Sequence, residues 1–208
     1  MSQRKRPRGR EPWSEKNIRR QYDDPEPMSV AFADPPYPNQ AERHYGDHED
    51  FAGEVDHAEL VDRLMAYDGW ALCTGAMMLP EVAALCPKGV RVLVWRKDVM
   101  FKPGVSVGFS WEPVLIYGGR RRHRHATILA DSMYCAPVFE KFGTKSIGIK
   151  PYPYCAWVFE ALGARDGDTL DDLFPGSGAV GRAWRQWITS PSLPIFEPAD
   201  TSNQTEVA

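Results

Sequence analysis

A chain of 208 residues, 43% apolar and 12% aromatic, can build one stable core with an appendage and needs no disulfide staples. The four cysteines, Cys73, Cys86, Cys135 and Cys155, lie far apart with no C-x-x-C pair, which excludes zinc ribbons and thioredoxin-type redox sites and predicts reduced thiols. The net charge of -3 hides an uneven distribution: Met1 to Tyr22 carries eight Lys/Arg against two Glu, whereas Asp47 to Asp62 carries seven acids and neither Lys nor Arg.

Residues 1–27 are polar, Arg-rich and interrupted by Pro7, Pro12, Pro25 and Pro27, so they are expected to form a flexible basic arm. Such an arm either meets nucleic-acid phosphates or serves as a solubilising tail. It has no apolar stretch of the secretory kind, which predicts a reducing, cytoplasmic setting.

From residue 28 to 198 short apolar runs alternate with helical patterns, marking one domain. Ser29 to Ala33, Trp70 to Thr74, Val90 to Trp95, Glu112 to Tyr117 and Thr169 to Phe174 read as buried strands bounded by Gly, Pro or Asp. Asp56 with Glu59 forms a capping-box pattern ahead of Leu60, Val61, Leu64 and Met65, which share a helical face. Pro151 to Leu162, stopped by Gly163, is a second helix, and Gly178 to Ile188 a third. The tract Ala71 to Cys86 is interrupted by Gly75, Pro80 and Glu81 and is too short to cross a bilayer, so no membrane is expected. No internal repeat is visible, and residues 199–208 read as a disordered tail. The alternation predicts an α/β fold, a mostly parallel sheet covered on both faces, with ligands beyond the carboxyl ends of its strands.

Two motifs fall at such ends. Asp34, Pro35, Pro36 and Tyr37 follow the first strand, where the prolines remove amide donors and stiffen an extended backbone. By itself this is also what a proline-stiffened turn looks like. Asp172, Leu173, Phe174, Pro175, Gly176, Ser177 and Gly178 run from a strand through a glycine-rich turn into a helix, letting a ligand approach backbone near the positive helix end. No Gly-Lys-Ser/Thr comes after it, so this is not a P-loop; close helix-strand packing would use the same glycines.

Taken together, D-P-P-Y upstream and F-x-G-x-G downstream resemble the circularly permuted class of S-adenosylmethionine-dependent amino-methyltransferases, which modify exocyclic amines of nucleic-acid bases. Lys150 and Pro151, with the helix to Gly163 and Asp166 to Thr169, resemble that class's segment before its cofactor loop. Trp111 to Leu115 resemble its late strand, which often sets an aromatic near the target base. The resemblance spans roughly Ser29 to Glu197 and implies a Rossmann-like class I methyltransferase sheet with permuted motif order.

It also implies site residues. Asp34 and the Pro35 carbonyl would accept hydrogen bonds from the target amine, Pro36 would hold the rigid backbone, and Tyr37 would stack on a flipped base. Lys150, Asp172, Phe174, Gly176, Ser177 and Gly178 would hold the methionine end of S-adenosylmethionine, and Glu197 its ribose. Aspartate at position 34 favours adenine N6 over cytosine N4, and DNA is the expected partner. RNA, a free nucleotide, or a non-catalytic nucleic-acid-binding role on the same fold are the alternatives.

Arg120, Arg121, Arg122 and Arg124 are candidate phosphate contacts, and cations around His123 and His125 would repel a metal, so no metal site is expected. Gly118 to Lys150 is short for a dedicated target-recognition segment, so recognition is either brief or supplied by a partner.

Overall fold

The structure, a computed structural model, describes residues 26–36, 55–98, 107–120, 128–142 and 145–189. Strands β1 (Ser29–Ala33), β2 (Gly69–Cys73), β3 (Arg91–Arg96), β4 (Trp111–Gly118), β5 (Ser132–Tyr134) and β8 (Thr169–Asp172) form one sheet in the order β5-β3-β4-β2-β1-β8. Strands β6 (Val138–Phe142) and β7 (Lys145–Ile149) pair separately as an antiparallel ribbon. The helices are α1 (His57–Leu64), α2 (Leu79–Leu85), α3 (Tyr152–Leu162) and α4 (Ala179–Thr189).

Side chains alternate across the strands and divide the core in two. Val30, Phe32, Ala71, Leu93, Trp95, Val114 and Ile116 face α3 and α4, whereas Ala31, Ala33, Trp70, Leu72 and Leu115 face α1 and α2. Helix α3 is buried on nearly every side, with Tyr154, Trp157, Phe159 and Leu162 all within the core, as its uniformly apolar sequence requires. Gly163 ends it in a left-handed C-cap with φ 67°. At the start of α1 the Asp56 carboxylate accepts from the amides of Ala58 at 2.8 Å and Glu59 at 3.1 Å.

The five expected strands and three expected helices are present within a residue or two of their sequence-derived bounds. The helices cover both faces and the sheet is mostly parallel, as expected, with one reversed strand. Strand β4 runs antiparallel to both β2 and β3, while β1·β2, β1·β8 and β3·β5 are parallel. The Lys97 amide donates to the Ser110 carbonyl at 2.8 Å, so the β3–β4 connection closes as a hairpin and the chain returns without a crossover. Helix α2 was hidden by Pro80, which sits in its first turn, where a missing amide costs nothing. Strand β5 and the β6–β7 ribbon occupy the segment from 118 to 150, the one judged short for a dedicated target-recognition segment. Among the described residues no helix is long and apolar enough to cross a membrane.

Candidate active site

Strands β1 and β8 are parallel neighbours with Phe32 opposite Asp172, and the Leu173 amide donates to the Phe32 carbonyl at 2.9 Å. Both therefore end at the same edge and release their motifs side by side: Asp34-Pro35-Pro36 from β1, the Phe174 to Gly178 turn from β8. Strand β2, parallel to β1, ends beside them at Cys73 and Thr74, and α3 begins above the same edge just after Lys150.

Lys150 Nζ lies 3.1 Å from Asp34 Oδ1 and 3.6 Å from Glu112 Oε2, and 5.5 Å and 5.9 Å from the ring centroids of Trp95 and Tyr154. Glu112 pairs on its other oxygen with Lys97. The result is a row of alternating charges, Lys97, Glu112, Lys150 and Asp34, laid over aromatic faces that favour the cations. The four side chains are 12–30% exposed, and Asp34 is the most open. Lys150 thus stands with the D-P-P motif, whereas the sequence put it with the glycine turn; two carboxylates and two ring faces hold the ammonium there.

Below the row, Cys73 Sγ and Tyr154 Oη share a hydrogen bond of 3.2 Å in the core. Burial, reinforced by the nearby Asp34 charge, pushes both groups up, and burial pushes Cys155 up to about 12. All three stay protonated at neutral pH, so no thiolate nucleophile is on offer.

Asp172 is the contrasting member. Both carboxylate oxygens are buried, and among the described residues the Phe174 amide is the one donor that acts on them, short of a well-formed hydrogen bond. Burial raises its carboxyl to about 6; the Phe174 amide offsets part of this, while Asp34 and Asp171 add to it. A buried carboxylate so poorly satisfied is costly, and a cationic group seated on it would relieve that cost.

The turn beyond it is built on Gly176 at φ 46° and Gly178 at φ 73°. At Gly176 a Cβ would meet nothing closer than the Phe174 carbonyl at 3.9 Å, so the glycine serves the left-handed backbone rather than tight packing. The Gly178 amide donates to the Pro175 carbonyl at 2.6 Å, Arg182 Nη1 donates to the Ser177 carbonyl at 2.7 Å, and Phe174 packs against the α1–α2 side of the core. Helix α4 starts at once, at Ala179. Pro35 is buried and Pro36 half-buried.

Arg120 has a different role from the phosphate contact expected of it. Its guanidinium holds Asp168 through Nη1–Oδ2 at 2.7 Å and Nη2–Oδ1 at 2.8 Å, and also donates to the carbonyls of Gly163 at 3.0 Å and Glu26 at 2.7 Å. With its side chain only 8% exposed, it closes the opposite end of the sheet. Tyr37, Arg121, Arg122, Arg124, Glu197, His123 and His125 lie outside the described residues, as do residues 1–25 of the arm and the 199–208 tail. Among the described residues no three His, Cys, Asp or Glu side chains are grouped to hold a metal ion.

Sequence reasoning missed Lys97, Trp95, Tyr154 and Cys73. Three of them stand at or next to the carboxyl end of a strand, so attention to the last residues of every strand, rather than to motif completion alone, would have found them.

No family model and no curated protein matches the chain. Among solved structures it is similar to the crystal structure of the M1.HpyAVI-SAM complex, with a TM-score of 0.50 and 12% identity over 83% of this chain and 83% of that one. At that identity the likeness concerns the fold alone, a Rossmann-like α/β sheet with helices on both faces.

Proposed function

We propose that this protein is an S-adenosylmethionine-dependent methyltransferase of the circularly permuted D-P-P-Y type, acting on the N6 amine of adenine in DNA. The observation that carries the reading is the pairing of β1 with β8, which brings Asp34 and the under-satisfied buried carboxylate of Asp172 to one edge. The fold shared with a protein solved in complex with SAM supports the same reading.

When bound, S-adenosylmethionine supplies an electrophilic methyl group. Asp172 is suited to its ammonium, because two buried oxygens with little beyond the Phe174 amide to satisfy them gain most from a cation. Backbone at Gly176 and Gly178 is suited to its carboxylate, where left-handed glycines admit close approach next to the α4 N-terminus. Glu197 would take the ribose hydroxyls.

Asp34 and the Pro35 carbonyl act on the substrate. An exocyclic amine delocalises its lone pair into the ring, and two acceptors on its N–H bonds localise that pair and stabilise the positive charge that develops. Each such preorganised acceptor contributes about 3 kcal/mol to the transition state. A carboxylate offers about four lone-pair positions, so Asp34 can serve the amine while keeping Lys150. Tyr37 would stack on the flipped base.

One observation favours a second reading, a non-catalytic nucleic-acid-binding protein: the Asp34 carboxylate already has an ammonium 3.1 Å away. Incubation with methyl-labelled cofactor and unmethylated DNA, then nucleoside mass spectrometry, decides between them. N6-methyladenine is the expected product. Saturable cofactor binding without any labelled nucleoside would favour the second reading, and label on RNA or on cytosine would redirect the first.

A further inference from the structure

Beyond β2 the sheet continues through β4 and β3 to β5, and the face that α1 and α2 cover elsewhere is open there: Val92 is 40% and Tyr134 56% exposed. On this face the register sets Trp111 opposite Arg96 and Arg96 opposite Tyr134. Residues opposed across a ladder project to the same side, so three strands present aromatic, guanidinium, aromatic in one line. With Val94 as a floor and Lys97 and Ser110 beside them, they line an open depression of about 380 Å³. The Tyr134 hydroxyl donates to Asp98 Oδ1 at 2.8 Å, which anchors the ring by its edge. Lys97 is matched by Glu112, and Arg96 is exposed.

We propose that this depression binds a single-stranded stretch of the nucleic-acid substrate, successive bases stacking on Trp111 and on Tyr134 while Arg96 between them takes a phosphate. A planar guanidinium between two rings matches a planar base joined to an anion: it stacks, and it pairs with phosphate in a fork. Every base offers a π face, so the contact is tolerant of sequence, but base pairs in a duplex bury those faces. The row lies on the same sheet edge as Asp34, and β3 stands three strand spacings from β1, or about 14 Å. It would therefore hold nucleotides flanking the target rather than the target itself. The inference rests on the nucleic-acid substrate of the reading above.

The test is fluorescence anisotropy of labelled single-stranded DNA with the full chain, without cofactor, across a salt series. Arg96→Gln is expected to weaken binding at least about fivefold and to lower the salt slope by about 1. Tyr134→Ala is expected to weaken it at least about fivefold with the slope unchanged. Both side chains are exposed, so melting should match the parent protein, and Arg96→Lys should restore the slope without restoring full affinity. Unchanged affinity in both Arg96→Gln and Tyr134→Ala overturns the inference. So does an equal loss on duplex DNA, which would reduce the row to a charge. Failure of methyl transfer alongside Arg96-dependent binding removes the proposed activity and leaves this surface standing; methyl transfer alongside Arg96-independent binding does the reverse.

Discussion

Asp168 and Asp172 bracket β8, and they show how differently the two ends of one sheet treat a carboxylate. At the amino end Asp168 accepts from the Met28 amide at 2.7 Å, the Arg165 amide at 2.9 Å and both terminal nitrogens of Arg120. Burial works to raise its carboxyl, but those donors outweigh burial and hold it below the ordinary range. At the carboxyl end Asp172 is half-buried with both oxygens shielded, has only the Phe174 amide where Asp168 has four donors, and is raised to about 6. The first arrangement is satisfied within the fold, while the second carries a cost that a proton, or a cation seated on it, would relieve.

The amino end is also where backbone is packed most tightly. A Cβ on Gly119, whose φ is 76°, would stand 2.5 Å from the Leu162 carbonyl, and Gly69 and Gly118 meet backbone just as closely. Charge and packing there fix β1, β2, β4 and the end of α3 against one another, so the site at the far edge is carried on a rigid frame.

The largest effect that would break this contrast is on stability. Asp168→Ala leaves the Arg120 guanidinium buried without its partner and should cost about 3–5 kcal/mol in urea unfolding. Asp34→Ala should do the opposite: turnover falls at least about 100-fold while the unfolding midpoint and cofactor binding stay near those of the parent. Near-normal methylation by that variant would remove Asp34 from its role.

Acid separates the ends by sign. Asp168, depressed in the folded state, stabilises the protein above its unfolded pKa, and that stability is lost as pH falls through its folded value. Asp172, raised to about 6, makes the folded protein less stable as pH climbs from about 4 to 6, because a charge is being buried. Asp172→Asn should therefore stabilise the ligand-free protein above pH 6, by about 1 kcal/mol once solvent screening is allowed for. The parent should bind cofactor about tenfold more weakly at pH 5 than at pH 7, since an ammonium needs the ionised carboxylate, and the Asn variant should lose that dependence. A flat pH profile in the parent would detach Asp172 from the cofactor.

How much of this was legible in the sequence depended on whether the signal was local. Five strands, the Asp56 cap and the Gly163 stop are written in consecutive residues and were readable, whereas β5 and the β6–β7 ribbon were not. The meeting of Asp34 with the glycine turn rested on motif resemblance, and its geometric cause, the β1·β8 pairing, joins segments far apart in the chain. Arg120 misleads because its neighbours Arg121, Arg122 and Arg124 make a basic cluster in sequence, whereas its partner Asp168 is distant. Lys97 is inconspicuous because a lysine after a strand looks like any solvated charge until Glu112 and Trp95 are placed beside it. The antiparallel β4 was equally hidden, since an apolar run does not declare its direction.

The smallest expected effect is the most informative about the charged row. Glu112 touches both Lys97 and Lys150, and Lys150 in turn links it to Asp34. Glu112→Gln keeps the shape and a hydrogen-bonding oxygen but removes the charge that draws Lys150 away from Asp34. Lys150 should then bind Asp34 more tightly and compete with an incoming amine, lowering turnover about three- to tenfold with little change in cofactor affinity. Had Glu112 merely supported the strand, turnover would track stability, and because the glutamine keeps the shape and a hydrogen-bonding oxygen in a half-buried site, little change in stability is expected, within about 1 kcal/mol. Single-turnover methylation measured beside urea unfolding separates the two. A further Lys150→Met change in the Glu112→Gln background should recover turnover if competition for Asp34 is the cause, and depress it further if Lys150 itself holds the acceptor in place.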